Sequence, residues 1–416
     1  MSFRIQISRL RFFLATGIVI LSITSGFLLI SSPAALSSTN SAAGSHAPII
    51  PSTGDRQPGS NGPSAAQQTS EIYLPLAVNG SASSPNTDLN AIYWGAYVSG
   101  SFYGFSDVPP WDERPIDVFE SHTGKKMSIL HWGQRWQKYG QELPFDASLM
   151  EKVRQRGELS LFDWTARDYD VNPEKDQPAF ALSKIIAGSY DNYIRQWATA
   201  AKNWGHPFFL RFNHEMNGDW YPWSEQVNGN QPGQFVQAWR HVHDIFSQVG
   251  ASNVTWVWCP NIEYQGTTPL EEMYPGSAYV DWTCIDGYNW GSEPNHGGNW
   301  QSFDQVFRQT YDHILKIAPD KPMMIGEVSS TEYGGPNDGA PDKAQWIREA
   351  LTQKLPLEYP AIKALVWFNV NADNMDWVIE TSPGAQSAFK DGISSSYYLD
   401  DPGINLERSP IPPPGN

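Results

Sequence analysis

The chain has 416 residues, with 28 Lys+Arg against 44 Asp+Glu and a formal net charge of −16, and it contains no basic run long enough to track a phosphate backbone. That balance argues against nucleic acid as a partner. Aromatic residues make up 13% of the chain and 18 of them are Trp, enough rings to line a binding surface as well as a core.

The first segment orders basic, apolar and small residues. Arg4, Arg9 and Arg11 precede an apolar run from Phe12 to Ile30, followed by Ser32 to Ala35. This is the pattern of a secretory signal, cleaved or retained as a membrane anchor, and it places residues 1–36 outside the folded domain. Without them the charge is 25 against 44, a net of −19. Residues 37–88 are rich in Ser, Pro and Gly and read as a disordered linker. They enclose one apolar island, Glu71 to Val78, to which no role is assigned. The protein is accordingly expected to be secreted or tethered at a cell surface. A single α/β barrel commonly takes roughly 250 residues, so residues 89–405 are expected to form one catalytic domain, with 406–416 a Pro-rich tail.

From Ala91 onward, apolar β-rich runs alternate with amphipathic segments, as a parallel sheet with crossover helices requires. The strands are read as Ala91–Ser99, Met127–Trp132, Glu158–Trp164, Pro207–His214, Asn253–Cys259, Asp281–Asn289, Lys321–Val328 and Ile362–Asn369. Helical stripes recur at spacings of three and four: Tyr190, Ile194, Trp197, Ala201 and Trp204, then Phe235, Trp239, Val242, Phe246 and Val249, then Phe303, Phe307, Tyr311 and Ile314. A fifth helix, Thr268–Met273, is short. Eight such units in order predict a closed (β/α)8 TIM barrel, a fold whose chemistry sits at the carboxyl ends of its strands.

Those ends carry His131 and Trp132, Asp163 and Trp164, Arg211, His214 and Glu215, Trp258, Asp286, Tyr288 and Trp290, Glu327, and Trp367 and Asn369. A strand-end Trp is more often packing than a ligand contact, and PFFLRF at Pro207 to Phe212 is also compatible with an ordinary core strand. The functional reading rests on polar and aromatic groups converging at the equivalent ends of seven strands. Sugar rings offer flat C–H faces that stack on indole, and their hydroxyls need polar partners at the edge. Long loops, Asn217 to Gln231, Gly291 to Trp300 and Ser329 to Pro341, are expected to wall an open groove. The zinc protease signature HExxH is absent, since position 218 is Gly.

RFNHEMNGDWYPW, DWTCIDGYNWG and MMIGEVSS resemble the signatures of glycoside hydrolase family 26, whose best-known members are β-mannanases. The resemblance runs from Trp94 to Trp367, and His214, where the wider clan commonly has Asn, marks the family. It implies Glu215 as general acid/base and Glu327 as nucleophile, with Arg211 near the nucleophile. It also implies that His214 and Trp220 contact the sugar at the cleaved subsite and that Trp367 lies beneath that ring; His131 and Trp164 are matched to substrate contacts on strands two and three. The chemistry agrees, because retaining hydrolysis needs two carboxyls about 5–5.5 Å apart, one protonated and one ionised. Tyr288, ending strand six beside strand seven, is placed to donate a hydrogen bond to Glu327.

The implied activity is a secreted, retaining endo-β-1,4-mannanase. A mixed-linkage β-glucanase or β-1,3-xylanase of the same family is the alternative, and a non-catalytic polysaccharide-binding protein the remote one. No cofactor or metal is expected, since no His/Cys/Asp cluster has ligand spacing and His241 and His243 fall on different helical faces. The chain is expected to act as a monomer, with the N-terminal segment its only link to a membrane. Cys259 and Cys284 read as small buried hydrophobes, with a disulfide the alternative that an oxidising compartment permits.

Overall fold

The structure, a computed structural model, describes residues 91–168, 175–293, 298–332, 334–335 and 342–415. The expected signal or anchor, the linker and the island at Glu71 to Val78 lie outside the described residues, as do parts of the loops after strands six and seven. Among the described residues no helix is long and apolar enough to cross a membrane.

Eight parallel strands close on themselves: Ile92–Val98, Ile129–Lys138, Leu159–Asp168, Phe208–Phe212, Val254–Trp258, Trp282–Asn289, Met323–Ser330 and Ile362–Asn369. The first pairs with both the second and the eighth, which is what shuts the barrel. The strands match their sequence readings to within two residues at each end, except that the second and third run six and four residues further (138 against 132, 168 against 164). The extensions rise past the mouth as a rim, where strand two turns back to pair antiparallel with Gln141–Glu142.

Helices cover the outside. The three apolar stripes are the buried faces of Asp191–Trp204, Gln234–Val249 and Phe303–Ile317. The short fifth helix is the single turn Leu270–Met273. Parity along each strand decides which layer a side chain joins. Leu159 and Leu161, Phe209, Val257, Trp282 and Cys284, Met324, and Ala364 and Val366 fill the bore. Their neighbours Phe162, Trp164, Leu210, Trp258, Leu365 and Trp367 face the helices.

At the amino ends of the strands the Pro-rich tail stoppers the bore. Ile411 is buried among the bore residues; its amide donates to Thr255 Oγ1 at 2.8 Å and its carbonyl accepts from Trp282 Nε1 at 2.8 Å. The cysteines form a disulfide rather than lying as free buried thiols. Strands five and six pair Trp258 with Thr283, so the next step sets Cys259 beside Cys284 with both side chains inward.

Candidate active site

Arg211 has the same parity as Phe209 and therefore points into the upper bore, where it is fully buried. Its guanidinium joins three strands: Nε donates to Asp163 Oδ1 at 2.5 Å, Nη2 to Asp163 Oδ2 at 2.8 Å, and Nη1 to Asp286 Oδ2 at 2.6 Å, while Nη2 also donates to Glu327 Oε1. His131 Nε2 lies 3.0 Å from Asp163 Oδ2 and 3.1 Å from Arg211 Nη2. One fixed cation thus organises the carboxyl groups of strands three, six and seven.

Glu327 reaches this cluster through an irregularity in its strand. Ile285 pairs with Ile325, but Asp286 pairs with Glu327, so strand seven carries one extra residue at Gly326. Met324 faces inward, and simple alternation would turn Gly326 inward and Glu327 out; the bulge restores Glu327 to the bore. Only glycine fits there, because a Cβ would lie 2.5 Å from Cys284 Sγ and 2.9 Å from Asp286 Oδ1. Tyr288 donates its hydroxyl to the other oxygen, Glu327 Oε2. With Arg211 and Tyr288 each donating to one oxygen, the carboxylate plane is held from two sides.

Glu215 leaves strand four in a left-handed conformation, φ +52°, which a non-glycine residue adopts only when its surroundings compel it. Its amide donates to the carbonyl of Cys259 at 2.7 Å, so the turn is pinned to strand five. Oε1 accepts from Asn261 Nδ2 at 2.7 Å and Oε2 from Trp220 Nε1 at 2.9 Å. Burial pushes this carboxyl up to about 8, and the nearby charge of Glu327 adds to the shift against the two hydrogen bonds. Oxygens of Glu215, Asp286 and Glu327 all lie within 4.8 Å of one another.

The remaining groups divide clearly. Burial would raise Asp163, but Arg211 and the histidines hold it well below the usual carboxylate range. Burial drives Asp286 well above that range, with Arg211 opposing; we take it as neutral, since one guanidinium cannot offset three buried anions at Asp163, Asp286 and Glu327. Burial and the Arg211 charge keep His214 far below its usual value, a neutral ring edge-on to Tyr221 with centroids 5.1 Å apart. Neither of its ring nitrogens has a hydrogen-bond partner among the described residues.

Of the residues singled out in the sequence, Glu215, Glu327, Arg211, His214, Trp220, Tyr288 and His131 converge on this mouth. Trp164 and Trp367 do not. Trp164 faces outward, stacked on Trp197 with centroids 4.6 Å apart, and Trp367 packs edge-on to Phe389 at 5.2 Å. Both have the wrong parity: Asp163 and Phe368 are the inward neighbours. The aromatic wall at strand eight comes instead from Phe368 and Trp377, 5.7 and 5.1 Å from the Tyr288 ring. The sequence reading gives Asp163 and Asp286 as strand ends and not as members of the site; the period-two pattern of their strands contains that signal. Asn261 lies in irregular backbone, where sequence carries no comparable pattern.

Two triplets in the site, His131 with Asp163 and Glu327, and Glu215 with Asp286 and Glu327, bring their ligand atoms within 4.8 Å, close enough for a cation. The Arg211 guanidinium already bonds three of these carboxylates, so an added cation would have to displace it.

Known proteins resemble this chain in sequence and in fold. The chain is 36% identical over 306 residues to Endoglucanase H of Acetivibrio thermocellus, covering 72% of this chain and 31% of that relative. It is 28% identical over 324 residues to a mannan endo-1,4-β-mannosidase of Bacillus subtilis, covering 71% and 79%. The chain therefore spans less than a third of Endoglucanase H. The catalytic domain of a Bacillus sp. JAMB-750 endo-β-1,4-mannanase shares the fold, with a TM-score of 0.53 at 16% identity over 76% of this chain and 88% of that one. Residues 127–330, from the start of strand two to the end of strand seven with Arg211, Glu215 and Glu327 among them, match the model of glycosyl hydrolase family 26, and the chain belongs to that family.

Proposed function

We propose that the protein is a retaining endo-β-glycosidase that cleaves β-1,4-mannan through Glu215 and Glu327. Glu327, aimed by Arg211 and Tyr288, attacks the anomeric carbon. The bond to the leaving oxygen breaks as Glu215 gives that oxygen its proton. Glycosylation removes the negative charge of Glu327, one of the causes holding Glu215 near 8, so the acid weakens its grip on a proton and then accepts one from water. The hydroxide formed displaces Glu327, and the anomeric configuration is restored. The observation that carries this reading is the pair itself: carboxylate oxygens within 4.8 Å at facing strand ends, close to the separation of retaining enzymes and short of the roughly 6.5–9.5 Å that inversion uses. His214, neutral and with no hydrogen-bond partner for its ring nitrogens among the described residues, supplies one donor and one acceptor for sugar hydroxyls. Secretion and attachment through the N-terminal segment complete the reading.

A second reading, β-glucan as substrate, is favoured by the higher identity to Endoglucanase H, 36% against 28% for the mannosidase. The two sugars differ in whether the 2-hydroxyl is axial or equatorial. Reducing-sugar release from galactomannan, lichenan and β-1,3-xylan, with Glu327→Ala as blank, discriminates them; release from none refutes the enzyme. Glu215→Ala should leave a slow deglycosylation that azide accelerates. In the unmodified enzyme, kcat/KM should fall as pH rises through about 8, where Glu215 loses its proton.

A further inference from the structure

Tyr264 stands on the segment that leaves strand five and is 50% exposed. Its ring is 11° from parallel to Trp220, centroids 6.4 Å apart, and Trp220 in turn donates to Glu215 Oε2 at 2.9 Å. Two nearly parallel faces therefore lead outward from the acid/base, one half-buried and the other open to solvent.

The segment that carries Tyr264 is tied down on both sides. Asn217 and Asn261 exchange bonds, Asn217 Nδ2 to the Asn261 carbonyl at 2.9 Å and the Asn261 amide to Asn217 Oδ1 at 2.9 Å. The Thr268 amide donates to the Asn217 carbonyl at 2.8 Å, Glu263 N to Thr310 Oγ1 at 2.9 Å, and Gln226 Nε2 to the Gly266 carbonyl at 2.9 Å. An aromatic ring exposed on a backbone held this firmly is preordered, and little entropy remains to be lost when something stacks on it. The same short segment brings Asn261 Nδ2 to Glu215 Oε1 at 2.7 Å.

Direction follows from the chemistry. Glu327 faces the anomeric carbon and Glu215 the departing oxygen, so the leaving sugar lies on the Glu215 side. Trp220 and Tyr264, on the loops after strands four and five, are on that side. We propose that Tyr264 is a specificity-determining residue for the leaving-group half of the polymer, stacking on the C–H face of the sugar beyond the one nearest Trp220. The assignment rests on the glycosidase reading and adds to it a requirement for at least two hexose units past the cleaved bond. The apolar face of a β-linked hexose is what two aromatic rings recognise, while a non-sugar leaving group would not reach the second ring.

The test compares unmodified protein, Tyr264→Ala and Tyr264→Phe on the polysaccharide that the unmodified protein cleaves and on a dinitrophenyl oligosaccharide glycoside, whose leaving group ends before Tyr264. Tyr264→Ala should raise KM for the polymer about tenfold, equivalent to ~1.4 kcal/mol, with kcat little changed. Its kcat/KM on the aryl glycoside should equal that of the unmodified protein, and Tyr264→Phe should retain most of the polymer affinity. An unchanged KM on the polymer, or equal losses on both substrates, overturns the assignment while leaving the glycosidase reading intact. Failure of the unmodified protein to cleave any polysaccharide or the aryl glycoside removes the glycosidase reading, and the Tyr264 assignment with it.

Discussion

Phe209 and Arg211 are two positions apart on strand four, and Leu161 and Asp163 two apart on strand three, yet each pair spans the boundary between two unlike layers of one bore. The lower layer, with Tyr93, Ile129, Phe209, Val257, Trp282, Met324 and Val366, is buried and apolar, and Ile411 closes it. The upper layer is also buried but holds Asp163, Arg211, Asp286 and Glu327. Burial of the lower layer stabilises the fold at roughly 25 cal/mol per Å² of apolar surface. In the upper layer desolvation opposes folding, and ionic bonds to one guanidinium offset it. Stability and chemistry are therefore separated by one step along the barrel axis.

The largest break in this contrast should come from Arg211→Met. It leaves Asp163 and Glu327 buried without their cation, and should lower folding stability by about 3–5 kcal/mol while abolishing turnover. Urea unfolding and polysaccharide hydrolysis measure the two effects, and a stability loss below about 1 kcal/mol would contradict the role given to the guanidinium. Gly326→Ala is a finer probe, because its Cβ meets Cys284 Sγ and Asp286 and must shift the bulge that aims Glu327. Turnover should drop by about 100-fold, the order of loss that follows a displacement near 1 Å, with the circular dichroism spectrum retained; an unaltered kcat would separate the bulge from the nucleophile's aim. Ile411→Ala tests the lower layer alone. It should cost roughly 2–3 kcal/mol in urea unfolding and leave kcat unaltered, and a matching fall in kcat would show that the two layers are not independent.

How much of this was legible beforehand depends on the kind of order involved. Eight strands and the helical stripes were readable because burial on both faces of a parallel sheet imposes apolar runs and burial on one face of a helix imposes a three-to-four spacing. Glu215 and Glu327 were readable as carboxylates at strand ends in a fold that gathers such ends. The family resemblance implies that Trp164 and Trp367 lie at the mouth, and parity sends each to the helix layer instead. His131, read as a strand end, is the third residue of a strand that continues to Lys138, because the rim extension of strands two and three has too few apolar residues to announce itself.

The amino-acid sequence by itself determined the number and order of βα units, the strand ends that carry charge, and the family to which they belong, all properties of residues near one another in the chain. Only the tertiary structure decided that an extra residue at Gly326 turns Glu327 inward, that one guanidinium serves three strands, that Asn261 from another loop holds the acid, and that Cys259 meets Cys284. Each depends on register or on contact between segments far apart in sequence, where a shift of one residue exchanges the inside of the barrel for the outside.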